Sequence, residues 1–273
     1  MKKFRAIIIL LFIANIAFAQ KLVVINSKFL KCNDSVLVFT PEKYKAKHVG
    51  TPALFLLHGW SGNYSNWSKK SDIQSFCNKY GFIIICPDGF YNSWYMNNSD
   101  TSKMQWRTFF DQELYPQIVK DYKLDPEKTF ITGLSMGGQG AVNLFLDNPQ
   151  RFKAAGSMSG VLNLQHTRLK TDEIAKVFGP YSAQNPRYDS ESAVNRLENM
   201  KGVGKILLIT CGAQDVYAKS ASEFCAKADE LKIPNILILS PGNHTWKYWD
   251  FALDMHLNIF NKIDSIPKSV YIF

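Results

Sequence analysis

The six residues Gly133-Leu134-Ser135-Met136-Gly137-Gly138 constrain this chain more than any other segment. Before them runs Lys128-Thr129-Phe130-Ile131-Thr132, a β-branched and aromatic stretch that predicts a strand. After them, Gly140 to Leu146 spaces its apolar residues as a helix does. A strand, a sharp turn and a helix with a serine at the apex describe a nucleophile elbow. Such a turn forces Ser135 into a strained backbone geometry, and the residues two before and two after it must lack a Cβ to avoid a clash. The hydroxyl then sits at a helix N-terminus, where partial positive charge favours a developing anion.

The segments around the elbow repeat its alternation of strand and helix. Leu22–Ile25 and Ser35–Thr40, separated by the turn residues Asn33-Asp34, predict an N-terminal antiparallel hairpin. Continuous apolar runs follow at Pro52–Leu57, Gly81–Cys86, Thr129–Thr132, Phe152–Ser157 (a weaker one), Lys205–Thr210 and Asn235–Ser240, as expected of strands buried on both faces. Helical patterns lie between and after them, at Ser71–Lys79, Met104–Asp121, Gly138–Leu146, Ser220–Leu231 and Trp246–Lys262. The expected class is α/β, a mostly parallel doubly wound sheet with helices on both faces. Residues 161–203 break the rhythm with Gly179, Pro180 and Pro186 and predict an insertion over the C-terminal edge of the sheet. No repeat or low-complexity linker divides residues 20–273, which are read as one domain.

The first 19 residues read as a leader. Met1-Lys2-Lys3-Phe4-Arg5 is basic, Ala6 to Phe18 is almost wholly apolar, and Ala17-Phe18-Ala19 offers a cut after Ala19. The apolar run is too short for a spanning helix; an uncleaved anchor is the alternative. Residue 20 is Gln, which gives a lipid anchor no cysteine. A secreted or periplasmic location follows as an expectation. Three of the nine excess positive charges lie in the leader, and the remaining six are scattered, so no nucleic-acid surface is expected. Cys32, Cys77, Cys86, Cys211 and Cys225 have neither metal spacing nor a disulfide framework, and no metal or cofactor is expected. Export permits a bridge, but the spacing assigns no pair and an odd count leaves a free thiol.

A serine hydroxyl needs a base, and in doubly wound hydrolases the chain order is Ser, then Asp or Glu, then His. The chain has five histidines: His48, His58, His166, His244 and His256. His244, in Pro241-Gly242-Asn243-His244-Thr245-Trp246, follows the last strand and opens the last helix, on the same sheet edge as Ser135. His256 lies on the apolar stripe of that helix and reads as a core histidine; His166 lies in the insertion, at the surface or the pocket rim. Asp215 follows the preceding strand in Cys211-Gly212-Ala213-Gln214-Asp215 and is the candidate acid, with a helix N-cap as its alternative role. Two backbone N–H groups are needed for the oxyanion. Met136 supplies one, and the His58-Gly59-Trp60-Ser61-Gly62 loop supplies the other through Trp60. His58, upstream of the nucleophile, reads as a brace for that loop. Trp60, Trp94, Tyr95 and Trp246 gather near this edge, as an aromatic wall for a sugar ring or phenolic acyl group or as packing of large loops. Trp94, Tyr95 and Trp246 are the candidate substrate-binding residues.

Leu56-Leu57-His58-Gly59, Pro87-Asp88-Gly89, Ser93-Trp94-Tyr95, Gly133–Gly138 and Gly242-Asn243-His244-Thr245-Trp246 together resemble the Putative esterase family of the α/β-hydrolase superfamily. That family includes esterase D-like S-formylglutathione hydrolases, tributyrin esterases, feruloyl and acetylxylan esterases and mycolyltransferases. The resemblance spans nearly all of residues 20–262. It implies an α/β-hydrolase fold, Ser135, Asp215 and His244 as a catalytic triad, and Trp60 and Met136 as oxyanion donors. Gln214 departs from the Glu or Lys that many members carry before the acid. The implied activity is a serine carboxylesterase acting on short-chain acyl esters, with acetyl or feruloyl esters of carbohydrate in view. An S-formylglutathione hydrolase-like thioesterase and a mycolyltransferase-like acyltransferase are the alternatives. The substrate is a small-molecule or carbohydrate ester, and oligomeric state is left open.

Overall fold

The computed structural model describes residues 20–45, 49–182 and 184–266. The leader and His48 lie outside the described residues. β1 (Gln20–Ser27) and β2 (Cys32–Phe39) form the expected antiparallel hairpin, but Asn33 and Asp34 are not its turn: they pair with Asn26 and Ile25 inside the sheet, and the chain turns at residues 28–31, where Ser27 Oγ accepts from the Phe29 and Leu30 N–H groups. β3 (Ala53–Leu57), β4 (Ile83–Pro87), β5 (Thr129–Gly133), β6 (Ala154–Met158), β7 (Ile206–Gly212) and β8 (Asn235–Ser240) pair in parallel, and β2 joins β4 antiparallel. The spatial order is β1-β2-β4-β3-β5-β6-β7-β8. Every residue of β3, β4, β5 and β6 is buried, which explains why these runs are continuously apolar.

Side chains alternate across each strand and so feed two cores. Ala53, Phe55 and Leu57 enter one, with Ile83 and Ile85; Leu54 and Leu56 enter the other, with Ile84 and Cys86. The second core is closed by α1 (Asn66–Lys70), α2 (Ile73–Tyr80) and, from the far end of the chain, α9 (Trp246–Ser265). The first is closed by α3 (Trp106–Phe109), α4 (Tyr115–Tyr122), α5 (Met136–Asp147) and α8 (Ala218–Glu230). A single helix is predicted over Met104–Asp121, but a π-helical turn at Phe110–Leu114 separates α3 from α4. Pro116, in the first turn of α4, has no N–H to close an α-type bond, and the wider turn accommodates it.

The insertion contains only 3₁₀ turns and the short helices α6 (Ala175–Phe178) and α7 (Arg187–Ser190) among its described residues. A polar clamp ties it to the sheet domain. The Glu191 carbonyl accepts from the side-chain amides of Gln139 (2.7 Å) and Asn143 (2.8 Å) on α5. The Glu191 carboxylate meets Arg107 at 2.6 Å and Arg187 at 3.4 Å. Burial alone would raise the Glu191 carboxyl, but Arg107, Arg196 and Arg187 outweigh it and hold the group below the usual carboxylate value.

All five cysteines are unbridged; Cys32 is exposed and the other four are buried. Burial pushes the thiols of Cys77, Cys211 and Cys225 up to about 12, as suits small packed hydrophobes. His256 is a core histidine. It is fully buried between the hydroxyls of Thr132 (2.9 Å) and Thr210 (3.0 Å), and burial holds its imidazole down to about 3. Gly156 of β6 makes room for it, since a Cβ there would lie 2.5 Å from the ring.

Candidate active site

β5 ends at Gly133 and α5 starts at Met136, so two residues must reverse the chain. Ser135 does this at φ 51°, ψ −114°, a conformation an L residue adopts only when its surroundings impose it. The Leu134 N–H donates to Leu57 O (3.2 Å) on one side and the Ser135 N–H to Met158 O (2.9 Å) on the other. The elbow is thus held by both neighbouring strands. A Cβ on Gly133 would lie 2.5 Å from Gly137 O; one on Gly137 would lie 2.5 Å from His58 O and 2.6 Å from Leu57 O. Both glycines are there because backbone occupies the space.

β7 and β8 bring the partners to the same edge. His244, 109 residues from the serine, places Nε2 3.0 Å from Ser135 Oγ. Its Nδ1 lies 2.9 and 3.1 Å from the two carboxylate oxygens of Asp215. The carboxylate keeps the proton on Nδ1, which leaves the Nε2 lone pair to accept from the serine hydroxyl. The Asp215 side chain is fully buried. Burial would raise its carboxyl, but hydrogen bonds from His244, the Tyr217 N–H and the Ser159 hydroxyl together hold it below the usual value. The alternative role as a helix N-cap is not what the structure shows: the N-cap of α8 is Tyr217, without a side-chain cap bond, and Asp215 Oδ1 accepts from the Tyr217 N–H (3.0 Å) just before the helix. Tyr217 and Trp249 stand edge-on to the His244 ring at 5.2 and 4.9 Å. Ser159, buried at φ 50° in the turn after β6, is a partner that sequence reading missed. Nothing local marks a serine in such a turn.

The Met136 N–H belongs to the first residue of α5 and has no intrahelical acceptor. The Trp60 N–H has none among the described residues, whereas its neighbours Ser61 and Gly62 donate to Tyr91 O and Gly59 O. Gly59 lets this loop lie against the elbow, its Cβ position being 3.6 Å from Ser135 Cβ. His58 braces the loop. Its Nε2 accepts from the Gly89 N–H (2.7 Å), so Nδ1 carries the proton and donates to Gly59 O (2.8 Å). The two loops after β3 and β4 are thereby locked together.

Asp34 on β2 is buried beside this junction. Burial, and then the charge of Asp88, push its carboxyl up to about 8, against backbone N–H groups that pull it down. The folded chain therefore keeps a proton that the unfolded chain releases near pH 3.8. The group's contribution to stability is complete below that pH and is lost as pH rises toward 8, by at most about 1.4 kcal/mol per unit. His256 acts in the opposite sense at lower pH, so the informative quantity is the difference between wild type and Asp34→Asn, which cannot ionise. In thermal unfolding from pH 4 to 8, the melting temperature of Asp34→Asn should gain steadily on wild type. Parallel curves would refute the assignment.

A cavity of about 830 Å³ opens above Ser135 and His244. Its wall holds Trp60, Trp246, Trp249 and Tyr217, with Thr167 and Arg168 from the insertion. Trp246 is where the sequence puts it, packed edge-on against Trp67 at 5.2 Å. His166 is exposed at the rim. The expectation for Trp94 and Tyr95 is corrected: both are fully buried and neither lines the cavity. Their backbones are left-handed, at φ 54° and 58°, and turn the chain inward. Tyr95 fills the slot left by Gly89 and Gly140, stands edge-on to Trp106 at 4.7 Å and donates its hydroxyl to His58 O (2.8 Å). It supports the His58–Gly62 loop from below. Trp249, three residues after Trp246 on α9, takes the place in the wall. Among the described residues no cluster of His, Cys, Asp or Glu has the arrangement of a metal site.

Residues 27–259 match the model of the family described as Putative esterase. The chain belongs to that family. An acetyl esterase of Caldicellulosiruptor saccharolyticus is 26% identical over 82% of this esterase and 91% of its own length. An S-formylglutathione hydrolase of Bos taurus is 26% identical over 84% and 88% respectively. The solved structure of a ferulic acid esterase superimposes with a TM-score of 0.75 at 24% identity, over 91% of this esterase and all of that chain, which establishes the shared fold. The protein is a carboxylic ester hydrolase of α/β fold. No helix among its described residues is long and apolar enough to cross a membrane.

Proposed function

We propose that this esterase hydrolyses short-chain acyl esters through an acyl-enzyme on Ser135, and that it does so after export, with acetyl or feruloyl esters of carbohydrate as its substrate class. The observation that carries the reading is the unbroken hydrogen-bonded path Asp215–His244–Ser135 at the floor of an aromatic-walled cavity. Ser135 Oγ attacks the carbonyl as His244 Nε2 takes its proton. The same nitrogen returns the proton to the leaving alcohol, and water then repeats the sequence on the acyl-enzyme. Asp215 holds the imidazole tautomer. The N–H groups of Trp60 and Met136 receive the tetrahedral oxyanion, each contributing about 3 kcal/mol in comparable sites. The acetyl esterase among the relatives supports a small acyl group. The leader-like N-terminus supports export, which disfavours a thioester of a cytoplasmic thiol as the substrate.

Kinetics on p-nitrophenyl esters from acetyl to octanoyl, with methyl ferulate and acetylated xylan, test this. The expected result is the highest kcat/KM at the two- to four-carbon esters, with release of acetate or ferulate from the natural esters. Turnover that needs an added sugar alcohol would make the protein an acyltransferase instead. No turnover of any ester would remove the proposal.

A further inference from the structure

Arg168 stands apart from the other described arginines of this protein. It is exposed on a 3₁₀ turn of the insertion and lines the cavity above Ser135, and among the described residues no aspartate or glutamate lines that cavity. Among the described arginines, Arg107, Arg151, Arg187 and Arg196 each meet a carboxylate, whereas Arg168 meets none. The next cation on the same turn is committed elsewhere. Lys170 Nζ donates to Gln165 O (2.8 Å) and lies over the Tyr181 ring.

The turn that carries Arg168 is tied to the catalytic base. The hydroxyls of Thr167 and Tyr217 hydrogen-bond at 2.8 Å, and Thr167 Oγ1 also accepts from the Leu169 N–H. Tyr217 in turn stands edge-on to His244. The backbone under the guanidinium is therefore fixed relative to the reacting atoms. A guanidinium is always charged and its fork matches a planar oxyanion.

We propose that Arg168 reads a negative charge on the substrate: the site takes esters that bear an oxyanion, carboxylate or phosphate, remote from the scissile carbonyl. The inference rests on the esterase reading above and deepens it. The reaction itself is unchanged, with water supplying OH to the acyl group and H to the departing alcohol.

Matched esters test the proposal. 4-Acetoxybenzoate against its methyl ester places the charge on the alcohol side. Mono-p-nitrophenyl adipate against p-nitrophenyl hexanoate places it on the acyl side. 4-Acetoxyphenyl phosphate distinguishes phosphate from carboxylate. Wild type should favour the charged member of at least one pair by about tenfold in kcat/KM, mainly through KM. Arg168→Gln should bring that ratio to about one, Arg168→Lys should recover part of it, and salt at about 0.5 M should compress it. A wild-type ratio of one or less in every pair, or a ratio that survives in Arg168→Gln, would overturn the proposal. If wild type turns over no ester at all, the esterase reading is what fails. Calorimetric titration with 4-acetamidobenzoate and its methyl ester then still decides the matter. Tighter binding of the anion that is lost in Arg168→Gln supports the role of Arg168, and equal binding of the two refutes it.

Discussion

Ser135→Ala should lower kcat on p-nitrophenyl acetate by about 10⁴- to 10⁶-fold and leave the thermal unfolding midpoint within a few degrees of wild type. The serine hydroxyl bonds His244 Nε2 at 3.0 Å, and among the described residues no second hydroxyl bonds that nitrogen. Alanine keeps the same Cβ and inherits the same strained backbone at φ 51°, so the elbow is neither relieved nor worsened. What remains is an oxyanion site without a nucleophile, which in comparable enzymes retains a small rate over water. Because Ser135 and His244 act as one unit, His244→Ala should cost a similar factor, and the double variant should cost little more than either alone. Loss of labelling by a fluorophosphonate probe in Ser135→Ala provides a second reading. More than about a tenth of wild-type activity in Ser135→Ala would eliminate the acyl-enzyme mechanism.

Gly137→Ala should damage both stability and activity. On helix propensity alone the change is favourable, since alanine in a helix is better than glycine by about 1 kcal/mol. The added Cβ, however, would lie 2.5 Å from His58 O and 2.6 Å from Leu57 O. Neither oxygen can yield cheaply. Leu57 O already accepts from the Leu134 N–H, and His58 O accepts from the buried Tyr95 hydroxyl. Overpacking of this kind costs about 1–3 kcal/mol, and more where backbone must move, so it outweighs the propensity gain. The displaced segment is the one that carries the Trp60 N–H. Activity should therefore fall by at least the factor of about 10² that one lost oxyanion donor costs, together with a lower melting temperature. Wild-type activity and stability in Gly137→Ala would show that the elbow and the loop do not meet as described.

Legibility differed between elements for identifiable reasons. β3 to β7 were readable because a strand buried on both faces must be apolar throughout, as β3 and β4 are. β8 was readable from the same kind of run although it lies at the sheet edge with none of its residues buried. The hairpin was readable from its two strands but its turn was not, since Asn33 and Asp34 pair within the sheet and the chain turns at residues 28–31. The Ser135, Asp215, His244 order was readable because each residue follows a strand and so arrives at one edge of a parallel sheet. The π turn between α3 and α4 was not, since a helical pattern does not record how a chain passes Pro116. Trp94 and Tyr95 misled for a related reason. They adopt the left-handed conformation without the glycine that usually signals it, so nothing in their neighbourhood says that the chain dives inward.

The sheet, the elbow and the chain order of Ser135, Asp215 and His244 follow from local rules that a sequence carries: periodicity, the need for no Cβ, and the edge to which each strand delivers its loop. What surrounds them comes from packing between distant segments. That Ser159 steadies Asp215, that Tyr95 lies beneath the His58–Gly62 loop, and that Trp249, Tyr217 and Arg168 face the cavity are contacts between segments far apart in the chain. Such contacts depend on how whole elements pack, and no short window of residues encodes that.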